Sequence, residues 1–316
     1  MSRTYVPRLD DARVAEAATQ THVIWSGGRT LEAHIEGQRA QLRRAGPAIL
    51  RYTGLLDESG RLVAGIKRYG LSVSVPGGGK APAVGIGAVF TRPDARGTGA
   101  ASELLRAVLD EARADGVALA LLFSDIDPGF YERLGFVSLP SLEHTATVPA
   151  LPAETSLDVR PSTPEDEPWM LETNDASWDL SFVRPARTLE ILRYFRFRNH
   201  GDLGWILRRD GRDVGYVLAA LHDGKRDDGA EPPPRTLWVD EWAAPGIPRE
   251  DVLGAIRRIA LTEGAAHVAS WLPPHLEGKP FVAQNRSTAI AMVRALGGPI
   301  PTIDPGQTFF GSLDHF

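Results

Sequence analysis

The sequence predicts an α/β protein built twice over, each copy a twisted mixed sheet flanked by helices. Three observations carry that expectation. Between Val84 and Ala101 an apolar strand passes through a proline-bearing turn and the glycines Gly97 and Gly99 into a helix. Hairpin signals precede this stretch, and a continuous apolar strand follows its helix, so antiparallel pairs and a right-handed parallel crossover share one sheet. After a Pro-rich joint near residue 151 the same order of elements returns.

The length of 316 residues suits two domains, taken as 1–150 and 151–316. With 43% hydrophobic and 24% charged residues the chain can build real cores. A formal charge of −5 argues against nucleic acid as the main partner. The absence of cysteine excludes disulfides, a thiol nucleophile and a thiolate metal site, and no metal is expected. The first residues lack an apolar leader core, and the longest apolar run, 117–123, is far too short for a membrane span. The expectation is a soluble, cytoplasmic protein without membrane or nucleic-acid partners, with self-association possible.

In chain order, residues 12–18 read as a helix behind Asp10 and Asp11, broken at Trp25-Ser26-Gly27-Gly28. Residues 31–44 read as a second helix with Leu31, His34, Ile35 and Leu42 on one face. Strands at 48–56 and 61–75 are separated by the turn Asp57-Glu58-Ser59-Gly60, and Pro76 with Gly77–Gly79 makes another hairpin loop. The strand 84–91 opens the glycine-bearing stretch. Helix 100–115 has Leu104, Leu105, Val108, Leu109 and Ala112 on one side, Arg106 and Asp110 on the other, and Gly116 as its stop. Strand 117–123, a loop through Asp125 and Asp127, a short helix 130–134 and a final strand after Gly135-Phe136 complete the first copy.

In the second copy, helices are expected at 165–174, 185–196, 249–264 and 285–296. Strands are expected at 203–208, 212–221, 236–242 and 266–271, with a polar turn at 223–231. Its counterpart of the glycine turn, Pro245-Gly246-Ile247-Pro248-Arg249-Glu250-Asp251, brings a proline and two carboxylates that would repel a pyrophosphate. Only the first copy is therefore expected to hold a phosphorylated ligand.

The free amides and positive end of a helix start make the corner at Gly97 an anion site. Two familiar phosphate loops do not match it. Gly97-Thr98-Gly99 is followed by Ala100, Ala101 and Ser102, so the dinucleotide fingerprint is not met, and Gly79-Lys80 has Ser74 where a Walker A glycine belongs. What stands there is Arg96-Gly97-Thr98-Gly99-Ala100-Ala101, and then, at one helix and one strand's remove, Phe130-Tyr131-Glu132-Arg133-Leu134-Gly135-Phe136. The first string resembles R/Q-x-x-G-x-G/A and the second Y-x-x-x-G-F, the two signatures of the GCN5-related N-acetyltransferases (GNAT), over roughly residues 9–140. Two such domains in tandem resemble the Eis-type acetyltransferases, without their C-terminal sterol-carrier-like domain.

The resemblance implies an acyl-CoA N-acyltransferase fold and transfer of acetyl from acetyl-CoA directly to a primary amine of a small molecule or peptide. It implies that Arg96, Gly97, Thr98, Gly99, Ala100, Ala101 and Ser102 hold the pyrophosphate. Val89, Phe90 and Thr91 would align the pantetheine arm as an added strand would, one N–H polarising the thioester. Tyr131 would return a proton to the leaving thiolate. Many relatives carry a basic carboxylate on the strand before Val89, but Gly85-Ile86-Gly87-Ala88 offers none. Asp125, Asp127, the terminal carboxylate at Phe316, and Asp240 or Glu241 are the candidates. Trp25 and His34 are candidate pocket residues, each also readable as packing. Phe130, Trp25 and the acidic loop suggest a partly apolar, partly anionic acceptor pocket. Two other readings stay open: a non-catalytic acyl-CoA sensor or scaffold, and an acyltransferase using another donor.

Overall fold

A computed structural model describes residues 2–199, 203–223 and 234–316. The turn expected at 223–231 lies, apart from Asp223, outside those residues. The first half opens with β1 (Thr4–Val6), α1 (Asp11–Trp25) and α2 (Leu31–Ile49). Asp10 and Thr30 accept hydrogen bonds from first-turn amides and so start the two helices. Gly46, with φ of 70°, kinks α2 just before Pro47. Next come β2 (Leu50–Leu56), β3 (Leu62–Ser74), β4 (Lys80–Thr91), α3 (Ala100–Ala114), β5 (Leu119–Ser124), α4 (Gly129–Glu132), β6 (Val137–Ser138) and β7 (Leu142–Thr147).

The second half holds β8 (Asp158–Pro161), α5 (Glu167–Ala176), β9 (Arg184–Pro185), α6 (Leu189–Arg198), β10 (Leu203–Arg209), β11 (Arg212–His222) and β12 (Thr236–Ala243). It closes with α7 (Arg249–Thr262), β13 (His267–Ser270), β14 (Val282–Asn285) and β15 (Ile290–Ala295).

Two sheets result. The first runs β1-β2-β3-β4-β5-β15-β6, with β9 also on β3; the second runs β14-β7-β13-β12-β11-β10-β8. In each, one central pair is parallel, β4 with β5 and β12 with β13. The expected mixed α/β architecture is borne out. The halves also exchange strands: β7 pairs with β13 and β14, while β15 lies between β5 and β6.

That exchange overturns the helix expected at 285–296. Asn285 ends β14 and Ile290–Ala295 form β15 instead, with Ala291, Met292 and Val293 buried at 2%, 0% and 0% exposure. Ala, Met and Leu suit a helix, but the free edges of β5 and β6 take the segment as a strand. Each sheet has its own core, built on Leu104, Leu105 and Val108 of α3 in the first and on Val252, Ile256 and Ile259 of α7 in the second. A third cluster, including Tyr69, Tyr194, Phe195, Phe310 and Phe316, joins the halves.

Because β15 lies inside the first sheet, shaving its core side chain should be costly. Met292→Ala is expected to lower stability by about 2–5 kcal/mol, read as a lower denaturant midpoint. A loss below about 1 kcal/mol would mark the strand as peripheral.

Candidate active site

The site is built on the place where β4 and β5 part. They pair in parallel from Ala83 with Leu119 to Ile86 with Leu122, and no pair follows. On its other side β4 is bulged: Gly65 faces Phe90 and Lys67 faces Gly87, leaving Ala88 and Val89 opposite Ile66. Ala88 takes a φ of 48° there. Beyond Ile86 the β5-facing edge of β4, carrying Val89, Phe90 and Thr91, has no strand beside it.

Below the gap α3 begins. Gly97 and Gly99 hold φ of 76° and 82°, and a Cβ built on either meets nothing within 4 Å. No side chain caps the helix at Gly99. The first-turn amides of Ala100, Ala101 and Ser102 thus lack internal partners by helix geometry. They line a cleft of ≈ 370 Å³ together with Thr91, Arg96, Gly97, Gly99, Phe130, Arg106 and Arg133. Arg106 and Arg133 are additions to the sequence reading. Arg106 stands one turn beyond Ser102 and so shares its side of α3. Thr98 turns away: its hydroxyl donates to the Ala95 carbonyl at 2.6 Å and accepts from Arg3 at 2.7 Å. The corner meets the requirements of a diphosphate, with space, open amides and three nearby guanidiniums.

A second cavity of ≈ 400 Å³ lies on the far side of the β4 tail. It brings together Tyr131, Asp125, Trp25, Phe316, Val89 and Phe90, residues far apart in sequence. Consecutive residues span the two spaces, Phe90 then Thr91 on β4 and Phe130 then Tyr131 on α4. The Tyr131 ring packs edge-on against Phe130 and Phe136 at 4.9 and 6.1 Å, and its hydroxyl has no hydrogen-bond partner among the described residues. The ring of Phe316 lies 4.4 Å from Tyr69 and 5.6 Å from Phe123. A Cβ on Gly85 would meet that ring at 2.5 Å, and one on Gly87 would meet the Phe316 main-chain oxygen at 3.3 Å. The two glycines of β4 therefore make room for Phe316.

Other candidates stand elsewhere. Asp127 accepts the Gly129 N–H at 2.9 Å, at the start of α4, and does not line the cavity. His34 is fully buried against Thr21 at 3.4 Å, a packing residue. Asp240 and Glu241 line a different cavity, in the second sheet, where Glu241 and Asp314 hold Arg187.

Residues 28–138 match the family model described as an acetyltransferase (GNAT) domain. Over that stretch the sequence is similar to a GNAT acetyltransferase domain. Among solved structures it resembles a GCN5-related N-acetyltransferase from Anabaena variabilis, with TM-score 0.71, 16% identity, 94% of this chain and 73% of that one covered. A probable N-acyltransferase from Enterococcus faecalis superposes with TM-score 0.71, 15% identity and coverage of 94% and 73%. Eis1 from Mycobacterium abscessus does so with TM-score 0.60, 16% identity and coverage of 93% and 74%. At such identities the likeness is one of fold. No curated protein matches the chain.

The electrostatics of the GNAT-like domain's inner cavity differ from the anionic pocket expected from sequence. Arg29, Lys67, Arg198 and His315 line it alongside Asp125, so basic side chains outnumber the acid. Lys67 and Arg198 read in sequence as polar positions of a strand and a helix end, with nothing to mark the face they occupy. Burial, and then the charge of Asp125, push the Tyr131 phenol up to about 12, so it stays protonated at neutral pH. Burial, and then Arg198, push the His315 imidazole down to about 4, so it is neutral there. Among the described residues no group of three or more metal-ligating side chains is placed to hold an ion, and no helix is long and apolar enough to cross a membrane.

His315 gives a pH signature. Its folded value, about 4, lies below the usual histidine value of 6.5, so the unfolded chain binds more protons between those limits. That group's contribution to stability is complete above about pH 6.5 and is lost as pH falls toward 4. Comparing Tm from pH 7 to pH 4, His315→Asn is expected to fall less steeply than the unmodified chain. Parallel curves would place the imidazole in water.

Proposed function

We propose that the protein transfers an acetyl group from acetyl-CoA to a primary amine of a small molecule or peptide. The observation that carries this is the pair of cavities meeting at the tail of β4, one with open amides at a helix start, the other with Tyr131. Acetyl-CoA, when bound, supplies an acetyl group activated as a thioester.

The chain's own groups then have distinct tasks. The amides of Ala100–Ser102, with Arg96, Arg106 and Arg133, suit the diphosphate. The unpaired edge of β4 at Val89–Thr91 suits an extended pantetheine arm lying as an added strand, and one N–H of the bulge suits the thioester oxygen as negative charge gathers on it. Tyr131 is a proton donor to sulfur. At about 12 its phenol is a weaker acid than a thiol near 8.5, so it acts through its hydrogen bond as the sulfur gathers charge. Asp125 and the terminal carboxylate at Phe316 are the proton acceptors lining the cavity; neutral His315 is a third.

Tyr131→Phe is expected to lower kcat by roughly 10²–10⁴-fold, while the KM for acetyl-CoA stays near its original value. Gly99→Asp should do the reverse, raising that KM through a carboxylate and a strained backbone at the anion corner. Acetyl transfer to an amine panel, followed by mass, reads both. Tyr131→Phe turning over like the unmodified chain would remove the proton-donor role. Stabilisation by CoA without product on any amine would favour a sensor.

A further inference from the structure

Three cations around the inner cavity, Arg29, Lys67 and Arg198, pair with neither Asp125 nor the terminal carboxylate at Phe316, which line it too. Lys67 stands mid-strand on β3, 7% exposed, and its ammonium donates to the neutral Gln41 amide oxygen at 2.7 Å. Arg198, ending α6, donates to Asn199 Oδ1 and to the His315 carbonyl, both at 2.7 Å. Arg29 donates to the main-chain oxygens of Ser26 and Trp25 at 2.7 and 3.5 Å. None of the three forms an ion pair among the described residues. Asp125, the acidic side chain of the cavity, accepts the Ala289 N–H at 2.9 Å.

The arginine side chains most deeply buried near the joint between the halves are paired. Arg187 has Asp314 at 2.8 Å and Glu241 at 2.5 Å, and Arg184 has Asp175 at 2.9 Å. Lys67 is a buried charge without a counterion, which is expensive, and half-buried Arg198 and exposed Arg29 face the same cavity and repel it. Burial first, then Arg198 and Arg29, hold the Lys67 ammonium well below the ordinary lysine value. An anion among them would reverse that penalty.

We propose that Arg29, Lys67 and Arg198 form a subsite for a carboxylate carried by the acceptor, making the substrate an amino acid or other amino-carboxylate rather than a polycation. The inference rests on the acyltransferase reading given above. The side of the sheet favours the acceptor as the source: Arg29 and Gln41 come from the α1–α2 region, while the diphosphate corner belongs to α3 on the far side of the β4 tail. Two guanidiniums and an ammonium lining one cavity suit a planar carboxylate.

The test uses the full chain with CoA present and amines paired by charge: glycine, L-phenylalanine and 4-aminobenzoate, each against its carboxamide. Calorimetry is expected to show the carboxylate of at least one pair bound roughly tenfold or more tighter than its amide. Lys67→Met and, as a second variant, Arg198→Gln are expected to reduce that ratio below about threefold. Amides binding as well as carboxylates in every pair, or a preference that survives both variants, would overturn the subsite. A parallel arm compares succinyl-CoA with acetyl-CoA on a neutral amine; a tenfold advantage for the succinyl donor would assign the cations to the donor's acyl group and overturn the acceptor assignment. CoA affinity, read in the same samples, separates the two levels. Intact CoA binding without carboxylate preference removes this subsite alone, whereas absent CoA binding removes the underlying reading.

Discussion

Four residue pairs hold β4 to β5, and the chemistry of the molecule lives where that pairing stops. A parallel pair that continued past Ile86 would satisfy the β4 edge and leave no polar main chain to meet a ligand. Two features keep the strands apart. The bulge at Ala88 and Val89 turns the end of β4. Phe316 packs its ring over Gly85 and Gly87 of β4 and against Phe123 of β5. The open edge is therefore a built feature, stabilised by aromatic contacts at one end and by α3 packing below.

The strand exchange explains how Phe316 gets there. β15 completes the first sheet between β5 and β6, and the residues beyond it pass Asp314 to Arg187 before placing His315 and Phe316 at the cavity. The inner cavity is thus assembled from distant pieces of chain: the α1–α2 region, the strands β2 to β5, α4, the end of α6, and the last residues. Most of its walls come from the first half, and Arg198, His315 and Phe316 come from the second. That makes the second half more than a weight hung on a GNAT-like domain, although its own counterpart of the anion corner starts α7 with Glu250 and Asp251.

Local signals read well from the sequence. The glycine turn, the amphipathic α3, the apolar β5 and the short helix with Tyr131 are each specified within a dozen residues, so periodicity and capping suffice. The segment 285–296 failed because its composition suits either state, and what decides is a free sheet edge contributed by residues 119–138. The site divides in the same way. Tyr131 and the glycines were legible as motifs. Lys67 and Arg198 were not, because neither strand β3 nor helix α6 shows from its own sequence which face will be closed over by α1, α2 and the chain end.

The charge of the cavity makes the same point in sharper form. A net charge of −5 suggests an anionic protein, and the loop at Asp125 suggests an anionic pocket. Yet charges farther apart than about 8–10 Å in salt water hardly feel one another, whereas those sharing a dry cavity do. The chain-wide sum therefore says nothing about a space of ≈ 400 Å³. Inside it the local count governs, and there Arg29, Lys67 and Arg198 face Asp125 and the terminal carboxylate at Phe316. Asp125 also accepts the Ala289 N–H and keeps its charge beside Tyr131, while the three cations outnumber the acids around the rest of the cavity. A field of that sign works against a cationic amine, because an ammonium entering alone would add a fourth repelling charge. An amine that brings its own carboxylate enters neutral overall, places its anion among the three cations, and has its ammonium pKa lowered by them, so that it loses its proton more readily before attack.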